Sequence, residues 1–254
     1  MSDLNESYFF EGREITKTYG PVIANYRISF GIKRKEIVGL VGDNAAGKST
    51  LIKQIMGVEQ PDEGDFYMDG KCVKITSPMV AKKLGINAVY QELAIFPHLS
   101  VVENIFAGEL IANRFQILDW KAMKAKVADL LNRLRIEIPL NTLVRNLSGG
   151  KRQEVAIARA LLHDVRLLLM DEPTAALSVK EREKIFQLIL DLKTIHGISI
   201  ILVGHNIEEV FQVVDRFIVL SRGRKIADIE KSQTSVKEIV AIIVHGGQNE
   251  LSAI

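Results

Sequence analysis

Short apolar runs alternate with turn residues in the first part of the chain, a pattern that predicts strands and short helices. YFFEGREITKTYG and NYRISFGIKRKEIVGLVG are strand-forming, and the second ends on a glycine that opens a loop. KSTLIKQIMG has helical spacing and a glycine at its end. QPDEGDFYMDGK holds two turn signals around a short strand, and the helical segment PMVAKKLG leads into the strand INAVY.

The pattern changes between about Gln91 and Leu162, where three segments have helical periodicity. These segments are LSVVENIFAG, LDWKAMKAKVADLLNRLRI and GGKRQEVAIARALL. Strand-forming sequence resumes after them. The chain therefore predicts a helix-rich insert between two strand-forming regions.

Two later segments, VRLLLMDE and ISIILVG, are apolar without alternation, which is typical of parallel strands buried on both faces. The helix SVKEREKIFQLILDLKTIHG separates them, as a right-handed β-α-β crossover requires. RFIVLSRGRKIADIE predicts a hairpin that turns at Arg222 and Gly223, and SVKEIVAIIVHG predicts a final helix. This order of elements indicates an α/β fold.

The composition narrows the class of protein. Hydrophobic residues make up 47% and charged residues 25% of the 254 positions, an ordinary globular balance. The formal net charge of +2 argues against nucleic-acid binding through a basic surface. No apolar run approaches the ~18 residues that span a bilayer, and the start lacks the order of a secretory signal. Together with the single cysteine, Cys72, these features favour an intracellular protein.

The stretch VGDNAAGKST matches the pattern G-x-x-x-x-G-K-[ST] of loops that wrap the phosphates of a nucleotide. A strand that turns into a helix aims backbone N–H groups and the helix dipole at phosphate oxygens. Lys48 would reach the β- and γ-phosphates, and Ser49 would place its hydroxyl on Mg²⁺. The alternative is a coincidental glycine-containing turn, which the predicted flanking strand and helix disfavour.

Ala45 stands where many such loops have a third glycine, which raises the question of whether the loop works. We expect a left-handed backbone at Ala45, at a cost of about 1–2 kcal/mol for its Cβ. Charge-assisted bonds from the loop and Lys48, each roughly 1.5–3 kcal/mol, outweigh that cost. The loop is therefore predicted to bind phosphates under some strain.

A second chemical element is LLLMDEP, at the end of a predicted buried strand. Asp171 would hold the metal through water, and Glu172 lies at the carboxyl end of the sheet, where open α/β folds bind ligands. A carboxylate in that place would accept a proton from attacking water. Two solvated acids at a strand end are the alternative.

Polar residues follow two further predicted strands. Gln91 follows INAVY and would be a neutral oxygen ligand for the metal, and His205 follows ISIILVG and would hydrogen-bond a terminal phosphate. Polar residues commonly end strands, so each is weak evidence alone. Together they predict a cluster at the same edge of the sheet as the phosphate loop.

The stretch NLSGGKRQ predicts a second anion-binding helix start. Ser148, Gly149 and Gly150 offer a hydroxyl and bare backbone amides there. An ordinary serine cap is the alternative. Two such helix starts, about a hundred residues apart, favour a site in which they meet across two molecules.

In this order and spacing, the phosphate loop, Gln91, LSGGKRQ, LLLMDEP and His205 resemble the nucleotide-binding subunits of ATP-binding cassette (ABC) transporters. The resemblance covers nearly the whole chain, and LSGG is highly specific for that family. It implies a P-loop NTPase core with a mixed, mainly parallel sheet, an N-terminal antiparallel β subdomain and an α-helical insert. The single ATPase domain would span residues 1–254, with the core and β subdomain at about 1–90 and 163–254 and the insert at about 91–162.

The resemblance also implies roles for single residues. Glu172, His205 and Gln91 would be catalytic, and Ser49, Gln91 and Asp171 would hold Mg²⁺. Tyr19 falls where the family stacks an aromatic ring on adenine, although a structural tyrosine is the alternative. The residues that would bind ATP are Tyr19, Gly42, Asp43, Asn44, Ala45, Ala46, Gly47, Lys48, Ser49, Thr50, Ser148, Gly149 and Gly150.

LSVVENIFAGE and DEPTAALSVKE resemble the ATPases of ribose-type sugar importers. Many of those fuse two cassettes, and this chain holds one, so the resemblance implies a homodimer that sandwiches ATP. It further implies membrane permease subunits, indirectly a solute-binding protein, no nucleic acid, and a cytoplasmic, peripheral position on the inner face of the cell membrane. Ser178 stands on the inter-subunit loop where an aspartate is common in the family.

Two other functions remain open at this point. A cytosolic cassette protein that acts on a ribosome or DNA is the main alternative, although such proteins usually carry two cassettes or a long coiled-coil insertion. A nucleotide-binding partner without useful hydrolysis is a second alternative, which Ala45 and Ser178 motivate and Glu172 and His205 oppose. A P-loop metabolic kinase would not explain LSGGKRQ.

Overall fold

A computed structural model describes residues 8–112 and 117–246. The ends of the expected domain, residues 1 and 254, lie outside the described residues. The strands are β1 (Tyr8–Tyr19), β2 (Val22–Lys33), β3 (Ile37–Gly42), β4 (Glu63–Met68), β5 (Lys71–Val73), β6 (Ile86–Val89), β7 (Leu167–Asp171), β8 (Ser199–Val203), β9 (Arg216–Ser221) and β10 (Arg224–Glu230). The helices are α1 (Lys48–Ile55), α2 (Pro78–Lys83), α3 (Val101–Ile105), α4 (Trp120–Arg133), α5 (Gly149–Ala160), α6 (Val179–Thr194), α7 (Ile207–Val213) and α8 (Val236–Gly246).

The larger sheet has six strands in the order β10-β9-β3-β8-β7-β6. Strand β10 pairs antiparallel with β9, and the other neighbours are parallel. The predicted hairpin at Arg222 and Gly223 is therefore the antiparallel edge of a mainly parallel sheet. This arrangement confirms the predicted mixed sheet.

The smaller sheet has four antiparallel strands in the order β2-β1-β4-β5. It confirms the predicted N-terminal antiparallel subdomain. The segment NYRISFGIKRKEIVGLVG contributes to both sheets, because β2 ends at Lys33 and β3 begins at Ile37. A turn between them carries the chain from one sheet to the other.

The larger sheet is buried on both faces, which explains the apolar strands without alternation. In β7, Leu167 and Leu169 pack into one hydrophobic cluster with α1 and the smaller sheet. Leu168 and Met170 pack into a second cluster with α3, α4, α5 and α6. The two clusters hold the strand ends in place from both sides.

A buried ion cluster joins the two sheets. Arg216 on β9 pairs with Glu36 at 2.8 Å and with Asp228, and it donates to the Gly31 carbonyl of β2 at 2.6 Å. Arg216 and Glu36 side chains are only 5% and 6% exposed. Separating the two sheets would leave these buried charges without partners, which is costly. The cluster therefore holds β9 of the larger sheet against β2 of the smaller sheet.

Between β6 and β7 the described residues form α3, α4, a 3₁₀ turn at Val144–Asn146 and α5, in line with the helices predicted there. The division of the domain at about residues 91 and 162 stays a prediction. Helix α7 was not predicted from the sequence. No described helix is long and apolar enough to span a membrane.

Candidate active site

The phosphate loop and the predicted catalytic and metal-binding residues lie at one edge of the larger sheet. The phosphate loop follows β3, His205 follows β8, Asp171 ends β7 and Gln91 follows β6. These four strands are parallel neighbours in the order β3-β8-β7-β6. Their carboxyl ends therefore meet, and the sheet brings together residues far apart in sequence.

The loop from Gly42 to Gly47 turns the chain sharply into α1. Ala45 has φ 61°, so its left-handed backbone is confirmed. Gly47 has φ 98°, and a Cβ there would lie 2.4 Å from the Ala24 carbonyl oxygen. Only glycine fits at that position, because the loop packs directly on strand β2.

Two hydrogen bonds to backbone carbonyls support the loop from outside. Asn25 of β2 is fully buried and donates to the Gly47 carbonyl at 3.1 Å. The Gly223 N–H, at the β9–β10 turn, donates to the Ala46 carbonyl at 3.1 Å. The role of Asn25 was not predicted from the sequence, because a single polar residue in an apolar strand was the only indication of it. These contacts fix the backbone of the loop from within the protein.

Lys48 is buried, and it begins α1 directly after the loop. Its ammonium donates to the carbonyl oxygens of Gly42 and Asp43, at 2.7 and 2.8 Å. Burial lowers the pKa of Lys48, and the negative charges of Asp43, Asp171 and Glu172 oppose that shift. A cation held this way is pre-positioned for the oxygens of a bound phosphate chain.

Glu172 lies between the other two predicted catalytic residues. It accepts a hydrogen bond from Gln91 Nε2 at 3.1 Å and contacts His205 Nε2. Its backbone has φ 49°, and its N–H donates to the Val203 carbonyl at 2.9 Å. A left-handed glutamate is unusual, and such strain clusters at active sites. The structure thus brings Gln91, Glu172 and His205 into direct contact.

One cavity of about 420 Å³ contains these groups together with the phosphate loop. At its other end lies Tyr19, which is 43% exposed, with Lys17 over its ring at 5.6 Å. Two exposed apolar side chains that the sequence analysis did not identify, Val22 and Ile23, also line this end. The cavity is therefore lined by polar and charged groups of both signs and by a separate apolar, aromatic set.

The candidate metal ligands Ser49, Gln91 and Asp171 all line this cavity. Burial raises the pKa of Asp171, and the charge of Glu172 raises it further. A hydroxyl, an amide oxygen and a carboxylate are oxygen donors of the kind that Mg²⁺ prefers. Because all three side chains offer oxygen donors to the same cavity, and a divalent cation would offset the repulsion between Asp171 and Glu172, these residues fit Mg²⁺.

Glu209 on α7 forms a network behind the catalytic residues that the sequence analysis missed. Its carboxylate accepts from Thr174 Oγ1 and Asn206 Nδ2, each at 2.9 Å, and pairs with Arg182. Thr174 follows Glu172 closely and Asn206 follows His205 directly. The network therefore ties together the two segments that carry the catalytic side chains. An N-x-x-E helix start at Asn206 was the available sequence signal.

Ser148, Gly149 and Gly150 lie at the start of α5, and in the described part of the chain they are not among the residues that line the cavity. Ser148 is the N-cap, and its hydroxyl accepts from the Lys151 N–H at 3.3 Å. This cap would equally suit an ordinary helix start. Its separation from the cavity is what a site shared between two molecules requires.

Comparison with known proteins gives close sequence relatives. The xylose/arabinose import ATP-binding protein XylG of Sulfolobus acidocaldarius is 44% identical over 96% of this chain and 94% of its own. The fructose import ATP-binding protein FrcA of Rhizobium meliloti is 39% identical over 91% of this chain and 92% of its own. The ribose import ATP-binding protein RbsA of Caldanaerobacter subterraneus subsp. tengcongensis is 39% identical over 91% of this chain. This chain spans 46% of that protein's length.

Solved structures share the fold. An ATP-binding cassette of an ABC transporter in its ADP conformation superposes with a TM-score of 0.81, at 25% identity, over 97% of this chain and 98% of its own. A dimeric, post-hydrolysis cassette bound to ADP and phosphate gives 0.73, at 28% identity, over 87% of this chain and 98% of its own.

The family match covers more than half of the chain and most of the candidate site. The ABC transporter family model matches residues 26–175, which include the phosphate loop, Gln91, Ser148 and Glu172. With its relatives, its fold and this match considered together, the chain belongs to the ABC transporter family.

Proposed function

We propose that this chain is the ATP-hydrolysing subunit of an importer that takes up a monosaccharide. The observation that carries the proposal is the contact of Glu172 with both Gln91 and His205, beside a phosphate loop. This constellation has the parts that hydrolysis of a phosphoanhydride needs: a phosphate cradle, a base and polar groups that orient water.

ATP fits this cavity with its phosphates at the loop and its adenine at the apolar side chains. The amides of the loop and Lys48 bind its phosphates, and Tyr19, Val22 and Ile23 form the apolar end for adenine. The aromatic face of Tyr19 stacks on a base at little entropic cost. Because the loop is held open by Asn25 and Gly223, binding needs little rearrangement of the backbone.

Ser49, Gln91 and Asp171 would hold Mg²⁺, which neutralises charge on the phosphate oxygens as phosphoryl transfer proceeds. Glu172 orients the attacking water and accepts its proton. Gln91 and His205 keep the Glu172 carboxylate in place, and His205 hydrogen-bonds the terminal phosphate. Glu209 supports both strand ends from behind.

Two copies of the chain form the working unit. Within the described residues, Ser148 and Gly150 at the start of α5 do not line the ATP cavity of their own subunit, and they complete the ATP site of the partner subunit. The dimeric cassette with ADP and phosphate among the structural relatives supports this arrangement. ATP binding closes the two copies, and hydrolysis lets them open again.

The closing motion passes to membrane permease subunits, which dock near Gln91 and the helices between β6 and β7. The dimer lies peripherally on the cytoplasmic face of the cell membrane, and a solute-binding protein acts on the far side of the permease. Three relatives are named as importers of xylose or arabinose, fructose and ribose, which supports a monosaccharide as cargo. They do not favour the ribosome or DNA alternative.

Co-purification tests this proposal directly. The protein with an affinity tag, expressed in its native host and extracted in mild detergent, should bring down an integral membrane permease, identified by mass spectrometry. Deletion of the chain should abolish uptake of one radiolabelled pentose or hexose, and the wild-type chain should restore it. Recovery of ribosomal proteins instead of a permease would overturn the proposal.

A further inference from the structure

Glu181, in the first turn of α6, contacts the start of α5. Its Oε1 accepts a hydrogen bond from the Gly150 N–H at 3.0 Å. Gly150 is one of the two residues to which the proposed function gives a role in the partner's ATP site. Within the described residues, Glu181 does not line the ATP cavity, and its contact lies at the start of α5.

The two oxygens of the Glu181 carboxylate have separate partners. Oε2 accepts from the Ser178 N–H at 3.2 Å and the Ser178 hydroxyl at 2.8 Å, and so completes the capping box of α6. Oε1 reaches across to Gly150. The carboxylate can therefore release Gly150 while it still caps its own helix.

Close packing accompanies this hydrogen bond. A Cβ at Gly150 would lie 2.9 Å from Glu181 Cγ, and a Cβ at Gly149 would lie 3.2 Å from Leu177 Cδ2. The start of α5 thus rests on the segment that follows Glu172. One subunit's own catalytic segment is in contact with the residues that serve its partner.

The Glu181 carboxylate is held in its charged form. Hydrogen bonds from the Gly150 N–H, the Ser178 hydroxyl and the Ser148 hydroxyl, in that order of effect, lower its pKa to about 2. Because the pKa in the folded protein is depressed, the contact is present at ordinary pH and is lost only as the pH falls towards that value. Protonation does not release it under physiological conditions.

A phosphate that approaches Ser148 and Gly150 meets two obstacles. The single N–H of Gly150 already donates to a carboxylate, and that carboxylate repels a second anion. We propose, on the basis of the proposed function, that Glu181 is a positioning residue of the shared ATP site. It holds the Ser148 and Gly150 donors within its own subunit until the terminal phosphate of the partner's ATP displaces it.

In this role, the dimer closes only when Glu181, in the first turn of α6, releases the Gly150 N–H. Displacement of Glu181 frees Oε1 next to Ser178, on the segment that leads back to Glu172. Binding at one ATP site is thereby sensed by the segment that carries the other site's catalytic base.

The test measures ATP-driven dimerisation by sedimentation velocity, in a Glu172→Gln background so that ATP is not consumed. Glu181→Gln replaces a charged acceptor with a neutral one. We expect it to tighten the dimer dissociation constant about tenfold at saturating ATP. Glu183→Gln, the matched control, neutralises an exposed acid on the same helix and should leave the constant unchanged.

A second control separates positioning from loss of the helix cap. Ser178→Ala removes the capping hydroxyl and keeps the Glu181–Gly150 bond, so it should lower stability without tightening the dimer. Binding of a fluorescent ATP analogue to the monomer should be equal in all variants.

The outcomes distinguish the inference from the proposed function. If the Glu172→Gln protein dimerises with ATP and Glu181→Gln does so equally or more weakly, the role of Glu181 is refuted and the shared site stands. If the parent protein does not dimerise with ATP at any concentration, the shared site and the inference fail together.

Discussion

Ala45 carries a left-handed backbone, at φ 61°. Its side chain is exposed, so no packing contact compensates for the strain of its Cβ. The turn is held by hydrogen bonds within the protein, from the Ala46 N–H to the Asp43 carbonyl and from the Gly223 N–H to the Ala46 carbonyl. We therefore expect the strain to lower the stability of the folded protein rather than the affinity for ATP. This distinction leads to a prediction about the glycine that many similar loops have at this position.

Ala45→Gly should raise the free energy of unfolding by about 0.5–1 kcal/mol, because relief of strain exceeds the added entropy of the unfolded chain. ATP affinity and turnover should change less than threefold, which corresponds to about 0.7 kcal/mol. Urea denaturation and nucleotide titration measure the two effects.

Ala46→Gly is the control, because Ala46 is buried and its φ is not in the left-handed region. It should lower stability. A weaker ATP affinity for Ala45→Gly, without any gain in stability, would contradict the strain argument.

Glu172 is the second residue whose chemistry can be isolated. Glu172→Gln keeps the size of the side chain and removes the base, so turnover should fall at least ~100-fold while ATP binding persists. The closed dimer should accumulate, since hydrolysis no longer reopens it. Phosphate release and sedimentation measure these changes. Exposed Glu208 gives the control Glu208→Gln, and near-normal turnover of Glu172→Gln would reject its role as base.

At the scale of elements, the sequence predicted best where burial alone decides the structure. Strands β7 and β8 are buried on both faces, and their unbroken apolar runs identified them. Helix α7 was missed, because its seven residues carry too short a pattern for periodicity. The contact between Glu181 and Gly150 was also beyond prediction, since it joins two helices whose packing depends on the tertiary fold.

The start of α5 can be tested as an element that acts in the partner subunit. Ser148→Arg removes the cap and places a bulky cation where the partner's phosphate would lie. We expect normal ATP binding to the monomer, with dimerisation and hydrolysis reduced to background. Sedimentation and phosphate release measured over a range of protein concentrations check this.

Gln187→Arg is the matched control for Ser148→Arg. It adds the same charge at an exposed position on α6 and should behave like the wild type. If hydrolysis by Ser148→Arg stays linear in protein concentration at the wild-type rate, the two-subunit site does not exist.

At the scale of the whole molecule, the strand order decides where the site lies. The sequence analysis expected Gln91, Glu172 and His205 at one sheet edge, but direct contact depends on β8 and β7 lying between β3 and β6. Parallel pairing over long sequence separations leaves no local signal in the chain. The sheet edge at which each residue lies could be predicted from its position after a strand, whereas the distances between them could not.

Arg159 links the segment after Gln91 to helix α5. The segment after Gln91 accepts two hydrogen bonds from Arg159 of α5, at the Leu93 and Ala94 carbonyls, with lengths of 2.6 and 2.8 Å. Burial lowers the pKa of Arg159, and its planar fork fixes the segment against the helix. Ser148 begins that helix. A change at Gln91 can therefore reach Ser148 through one side chain and one helix.

We predict that ATP binding moves the helices between β6 and β7 relative to the sheet. Gln91 contacts Glu172, and it leads directly into the segment that Arg159 holds against α5. Hydrogen exchange in the monomeric Ser148→Arg background avoids effects of the dimer. With ATP, opening free energies near Gln91 and at the start of α5 should change by about 0.5–2 kcal/mol. Arg159→Ala should abolish the change at α5 and keep that at Gln91.

The control Arg133→Ala removes an exposed arginine that pairs within α4, and it should alter neither change. Changes confined to residues 42–50 would exclude coupling by this route.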